Sequence, residues 1–340
     1  MQYRIDVLRN YVPIGTLAFT GCTVNFRADA KIKRSASIVT NMALMDLTVD
    51  SFERMSDRIS PVMIDDYGRE YRAGIFMLVS DPVTYGTPYD ETNMELYDES
   101  YIMEQSAFDS RHFYAAGTPY TDVFSQILTE CGLVRQMIDD SNSVLAIDRE
   151  FPVGENILNA LNTLLEEAGY ESLFMDSDGF ARCMLKMNKY EPDFIYRAGE
   201  NSTLYESITG NTDVYGIPNV FVGVVSTPDQ GVMTYTAENH HLESELSIER
   251  RGYKLTKVYK LDSASSQSEL EAYVDGLLND SLMALETLSF TSGIEPGHEF
   301  KNMLQVETED VSGLYVEKSW SMTFGTGANM THSAERRIII

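Results

Sequence analysis

From residue 1 to about 105, apolar and polar residues alternate in short runs, the period of half-buried strands. Residues 58–64 and 70–79 predict a hairpin. Its tight polar turn is Asp65, Asp66, Tyr67 and Gly68, with the glycine where a positive φ is needed. Residues 81–93 hold two prolines and a glycine and read as a connection, after which the apolar pattern resumes at 94–97.

Between about 106 and 200 the period turns helical. Thr118 as N-cap and Pro119 at the first helical position open a helix. Val123, Phe124, Ile127, Leu128 and Cys131 share one face of it, and Gly132 ends it. A second helix is predicted over about 155–168, where Ile157, Leu158, Leu161, Leu164, Leu165 and Ala168 form a wide apolar stripe between Gly154 and Gly169. Residues 171–175 and 180–185 read as another hairpin, turning at 176–179.

Residues 201–340 return to strands around one helix. A β-rich run at 219–225 lies between Pro218 and Pro228. Ser266 and Glu269 form a capping box, and Leu270, Val274, Leu277 and Leu278 behind it predict a helix of about 20 residues. A last hairpin is predicted from 300–307 and 314–324, turning near Ser312 and Gly313. Val316, Trp320, Met322 and Phe324 share its inward face, with Lys318 as the exception. The fold class is therefore α+β, in three segments: 1–105 and 201–340 rich in strands, and 106–200 a helical α/β insert. The order has the outline of an internal duplication, with no residue-level repeat behind it.

At 340 residues and 43% hydrophobic, the chain is long enough for two or three packed domains, and global disorder is excluded. The charge changes the picture more. With 26 Lys plus Arg against 52 Asp plus Glu, the formal net charge is −26. Tight nucleic-acid binding and adhesion to an anionic membrane both need clustered cations, so neither is expected. Cys22, Cys131 and Cys183 are odd in number and widely spaced, which fits buried thiols in a reduced compartment better than disulfides. No secretory leader opens the sequence and no apolar run reaches about 18 residues, so a chain made in the cytoplasm without a membrane anchor is expected.

Candidate chemistry thins out on inspection. His112, His240, His241, His298 and His332 are the histidines. The adjacent pair His240 and His241 cannot project to one side of an element, and no third ligand follows at metal spacing. His298 and Glu299 begin like a zinc-protease helix motif, but Asn302 stands where the second histidine must be. Asp176, Asp178 and Gly179 suggest a Ca²⁺ loop, yet Phe174 and Leu185 fall at its first and last ligand positions. Acid pairs such as Asp98 with Glu99 or Glu307 with Glu309 arise readily among 52 acids. No phosphate-binding glycine loop or nucleophile elbow occurs, and the N-x-[ST] matches at Asn201, Asn279 and Asn329 lack a secretory context. No catalytic, cofactor or metal residue is assigned.

The order and spacing of residues 58–82, 114–132, 151–181, 217–225, 247–252 and 320–337 resemble the hub proteins of bacteriophage tail tips. These are similar to the T4 baseplate hub and to the N-terminal part of siphophage tail-associated proteins. The resemblance implies a non-enzymatic homotrimer in which each subunit supplies two tube-like β-barrel domains. Three copies would make a pseudo-sixfold ring joining the tail tube to the tip. Partners would be distal-tail, tube or tape-measure, and tip or fibre proteins, in the virion. DNA would pass through the lumen without tight binding, along an acidic wall. Members of this group often continue into a lytic or receptor-binding region; the sequence stops at Ile340, so such an activity is expected on another chain, and the apolar residues 338–340 are expected to dock on a neighbour. Two other readings stay open: an acidic glycan-processing or carbohydrate-binding protein, and a hexameric distal-tail ring.

Overall fold

The computed structural model describes residues 1–41, 52–86, 90–187, 189–199, 203–204, 208–212, 215–227, 231–242, 244–261, 267–281, 283–325 and 327–339. The fold is α+β, with strands predominating. It divides into two compact units: Met1–Ser207 with Phe290–Ser333, and Ile208–Ser289 with Ala334–Ile340.

The first unit opens with strands β1 (Gln2–Arg9), β2 (Val12–Leu17), β3 (Gly21–Arg27), β4 (Arg34–Asn41), β5 (Arg58–Ile64), β6 (Glu70–Arg72), β7 (Met77–Ser80), β8 (Val83–Thr84) and β9 (Glu91–Tyr97). A four-stranded antiparallel sheet runs β2-β1-β5-β6. The predicted turn between β5 and β6 forms: Asp65 accepts the backbone N–H of Tyr67 at 2.8 Å and of Arg69 at 2.9 Å, and Gly68 has φ 79°. The second strand of that hairpin does not continue to residue 79 as expected. At Gly74, with φ 152°, a Cβ would lie 2.6 Å from the Phe76 ring and 2.7 Å from Cδ of Arg34. Only glycine fits there, and the ladder is interrupted: Phe76 pairs again with Ile59 of β5, each donating its N–H to the other's carbonyl at 2.9 Å, before β7 pairs with β9 in another sheet.

That other sheet contains β7-β9-β4-β3 and then two strands from far along the chain, β22 (Ser312–Phe324) and β23 (Asn329–Ile339), of which Asn329–Ser333 belongs to this unit. β15 (Phe194–Arg197) lies parallel to β21 (Met303–Glu307), which pairs with the first half of β22. The expected hairpin is present, but its turn lies at 308–311, where Thr308 N–H donates to the Val311 carbonyl at 2.8 Å; Ser312 and Gly313 are already in the strand.

The inward face of β22 also differs from expectation. Tyr315 and Glu317 are buried, then Trp320, Met322 and Phe324, so the alternation slips by one position between 317 and 320. Val316 and Lys318 are only half-buried, whereas Tyr315 and Glu317 are buried, so the expected inward face holds for Trp320, Met322 and Phe324 but not for the first half of the strand. The cause is a change of partner: Ser312–Val316 pair with β21, whereas Ser319–Phe324 pair with β3. Between them Glu317 N–H donates to the Asn302 carbonyl and Ala28 N–H to the Lys318 carbonyl, both at 2.8 Å. The later half packs into a core where Phe26 stacks on Trp320 at 5.6 Å, with Val24, Ile38, Met94 and Met330 buried around them.

The middle of the chain carries α1 (Ser100–Glu104), α2 (Tyr120–Glu130) and α3 (Ile157–Glu167), with short strands β10 (His112–Tyr114), β11 (Gln136–Ile138), β12 (Arg149–Phe151), β13 (Phe174–Met175) and β14 (Ala181–Cys183). The predicted stripes of α2 and α3 are buried in one cluster: Val123, Phe124, Ile127 and Leu128 against Leu158, Leu161, Leu164 and Leu165. Gly132 and Gly169 close the helices at φ 81° and 80°. The cap of α2 is one residue later than expected. Pro119 is the N-cap, and the Thr118 hydroxyl instead donates to the Ala115 carbonyl at 2.8 Å. In α3, Asn156 caps by accepting the Asn159 N–H at 3.0 Å.

In the second unit, β17 (Val220–Thr227) lies between β18 (Gly231–Glu238), antiparallel, and β19 (Thr256–Leu261), parallel. α4 is Ile248–Arg251 and α5 is Gln267–Ser281, 15 residues rather than about 20; Ser266 of the capping box lies outside the described residues. Leu270 and Val274 of α5 press on Gly223, where a Cβ would meet Val274 at 2.5 Å, so the strand glycine is what lets the helix seat. β16 (Thr209–Thr212) pairs with the part of β20 (Met283–Ser292) that belongs to this unit.

Candidate functional site

Among the described residues, one fully buried group of ionisable side chains gathers residues distant in sequence. Glu317 comes from β22 at the phase slip, His332 from β23, and His298 from the segment after β20. Their exposures are 1%, 3% and 1%. His298 Nδ1 lies 2.6 Å from Glu317 Oε2, and His332 Nδ1 lies 2.6 Å from Oε1, so each carboxylate oxygen faces one imidazole. The far ring nitrogens are held as well: His298 Nε2 is 2.9 Å from the Tyr196 hydroxyl and His332 Nε2 is 2.9 Å from Ser292 Oγ. Aromatic rings fix the imidazole planes, with Phe194 stacked on His298 at 3.7 Å and Phe290 on His332 at 4.5 Å.

Burial governs the protonation of this centre. It pushes His298 down to about 2, with a further contribution from His332, and His332 down to about 3. The same burial holds Glu317 well above the usual carboxylate range, with the charge of Asp193 adding to it. Tyr196 is raised by burial first and by Glu295 and Glu317 second. Both imidazoles are therefore neutral at physiological pH, and the carboxyl resists ionising alone.

A second buried group ties segments together. Arg34 is 1% exposed; its guanidinium donates to the Ala73 carbonyl and to Glu299, both at 2.6 Å, and lies over Phe26 and Trp320. Glu299 in turn accepts the Ser177 N–H at 2.9 Å, linking the helical middle to the sheet. Arg135 adds another link, with its guanidinium 4.4 Å from the Tyr11 ring and 4.2 Å from that of Phe180.

The other sequence candidates scatter. His112 is 3.0 Å from Glu130, and His240 is 2.7 Å from Glu249, a hydrogen bond that raises its pKa. His241 is exposed beside it and uses its backbone N–H on Asn239. Asp176 spends its carboxylate on the N–H groups of Asp178 and Phe180 in the hairpin turn. Asp98 is buried and accepts the Arg34 N–H at 2.9 Å, while Glu99 takes Arg58 at 2.7 Å and the Tyr11 hydroxyl at 2.9 Å. Glu307 pairs with Arg197 at 2.6 Å, and Glu309 is exposed. Cys22, Cys131 and Cys183 are free thiols, with Cys22 and Cys183 buried and pushed up to about 12 by that burial. Sequence reasoning met His298 and His332 separately and missed Glu317, which stands beside Lys318 in a strand that also carries serines and a threonine and so gives no signal of its own.

No family model matches the chain, and no curated protein matches its sequence. The fold does have solved counterparts. A tail protein of Neisseria meningitidis is 9% identical with a TM-score of 0.71, over 99% of this chain and 97% of the other. The 43 kDa tail protein of prophage MuSo2 from Shewanella oneidensis is 10% identical with a TM-score of 0.70, over 98% of both chains. A type VI secretion component of Escherichia coli, described as structurally similar to two T4 bacteriophage tail proteins, is 11% identical with a TM-score of 0.50, over 98% of this chain and 74% of its own. The chain thus has the fold of phage tail proteins from end to end, as the resemblance in its sequence led one to expect.

Proposed function

We propose that this chain is a structural hub protein of a phage tail tip, without enzymatic activity. The observation that carries the reading is that fold likeness to two phage tail proteins runs the whole length of the chain. In this reading the strand-rich segments 1–105 and 201–340 supply two tube-like β-barrel domains, and the helical segment 106–200 decorates them. Three subunits make a pseudo-sixfold ring that matches the sixfold tube above to a threefold tip below. Its partners are distal-tail, tube or tape-measure, and tip or fibre proteins, and its place is the virion.

The net charge of −26 fits a channel that DNA slides through, since an acidic wall repels phosphate over a screening length of about 8–10 Å. Lysine replacements at lumen-facing acids are expected to slow DNA delivery; unchanged delivery would remove the charge from the account. The stoichiometry is tested by light scattering coupled to gel filtration. A native mass three times 38.3 kDa is expected. Six times that mass would favour a distal-tail ring instead.

A further inference from the structure

We propose that His298, Glu317 and His332 bind one divalent transition-metal ion of the zinc class, through both Nδ1 atoms and the Glu317 carboxylate. The inference stands apart from the tail role.

The proton count at the centre motivates it. The Ser292 hydroxyl has a single hydrogen and two acceptors within reach, the Gly293 carbonyl at 2.8 Å and His332 Nε2 at 2.9 Å. Where that hydrogen goes to Gly293, His332 Nε2 carries the ring hydrogen and donates to Ser292 Oγ. In the neutral ring that leaves the Nδ1 lone pair facing a carboxylate oxygen at 2.6 Å. Two lone pairs at that separation repel unless a cation sits between them, either a shared proton or a metal ion.

Four features favour a metal. Two imidazoles and a carboxylate are a donor set suited to zinc and its neighbours. The ligand atoms of the three residues all lie within 4.8 Å of one another and are buried. The two imidazole ring centres are 5.1 Å apart, close to the roughly 5 Å expected when two imidazoles bind one tetrahedral ion at about 2.0–2.1 Å. Finally, each far ring nitrogen meets a hydroxyl, Tyr196 or Ser292, the outer hydrogen bonding that orients metal-bound histidines. Among the described residues Glu317 has no Lys or Arg ion pair; its partners are those two neutral imidazoles. A divalent ion would let the carboxylate ionise in place, where neither imidazole carries a charge to answer it. In the metal-free centre each Nδ1–carboxylate contact holds one hydrogen; ion binding releases the one shared with His332 to solvent, and the one on His298 Nδ1 shifts to Nε2, whose hydrogen bond with the Tyr196 hydroxyl then reverses, so that both Nδ1 lone pairs and the carboxylate bind the metal. The ion would cross-link β22, β23 and the segment bearing His298 at the point where β22 changes partner.

The test uses the full chain. After dialysis against zinc sulfate and then metal-free buffer, elemental analysis is expected to give one zinc per chain, and X-ray absorption a shell of two imidazole nitrogens plus carboxylate oxygen. His332→Asn and Glu317→Gln are expected to lower the zinc content at least tenfold, whereas His240→Ala keeps it. Removing zinc with a chelator should lower Tm by more than about 4 °C. If either variant does not fold, the absorption spectrum of the unmodified protein still decides. Protein free of zinc, with an unchanged Tm in chelator and nitrogen-15 spectra placing a proton between Nδ1 and Glu317, would overturn the proposal in favour of a proton bridge.

Discussion

The helical middle and the end of the main sheet solve the same problem, burying a core, in opposite ways. In α2 and α3 each helix keeps one environment along its length, so the 3.6-residue period names the buried side chains directly: Leu158, Leu161, Leu164 and Leu165 face Val123, Phe124, Ile127 and Leu128. In β22 the environment changes halfway, from β21 to β3, and the buried set moves from odd to even positions. A strand that changes partner has no single inward face, and the residue at the change, Glu317, is buried with a charge to satisfy. Periodicity reads constant surroundings; it is blind to a shift in them.

The sharpest way to break this comparison is at the slip itself. Glu317→Ala strands two buried imidazoles and is expected to cost about 3–5 kcal/mol in urea unfolding, whereas Val316→Ala costs about 1 kcal/mol or less. A β22 of uniform phase predicts the reverse ranking. Next, Leu161→Ala in α3 is expected to cost about 3 kcal/mol, within the usual range for a buried leucine. A loss below about 1 kcal/mol would mean that the helical core collapses freely around the cavity.

The caps give a smaller contrast. Asn156→Ala removes a side chain that caps α3 and should cost about 1 kcal/mol, while Thr118→Ala, one residue before the true N-cap of α2, should cost only a few tenths. Equal losses would restore Thr118 as the cap. The smallest effect is on pH dependence. Lys33 is buried, donates to the carbonyls of Ala28 and Ala30, and is pushed down to about 8 by desolvation. Between about pH 8 and 10.5 the unfolded chain binds the Lys33 proton more than the folded chain does, so this group adds stability as pH rises through that window. Subtracting the pH profile of Lys33→Met from that of the unmodified chain isolates the rise; parallel profiles would contradict it.

How much was legible follows the same line. The turns at Gly68, Gly132, Gly169 and Gly179 were visible because each demands a left-handed backbone that glycine supplies. The interruption after Arg72 was not, because it depends on the Phe76 ring folding back over Gly74 and on Arg34, far earlier in the chain, crowding the same point. The buried centre was half visible. His298 was set aside because Asn302 stands where a zinc-protease motif needs its second histidine, and His332 was only counted among the histidines, while the centre closes through separations of 19 and 15 residues to Glu317. The tail-protein resemblance came from segment order, which survives when identity falls to 9–10% because the fold constrains the order of elements and not the side chains.

The reading of the chain as a threefold hub is tested most directly by an electron-microscopy reconstruction of the assembled tail tip in which this chain is located and counted. The account predicts three copies forming one ring at the junction of tube and tip, with both strand-rich segments lining the channel. Six copies, or a position away from that junction, would contradict it.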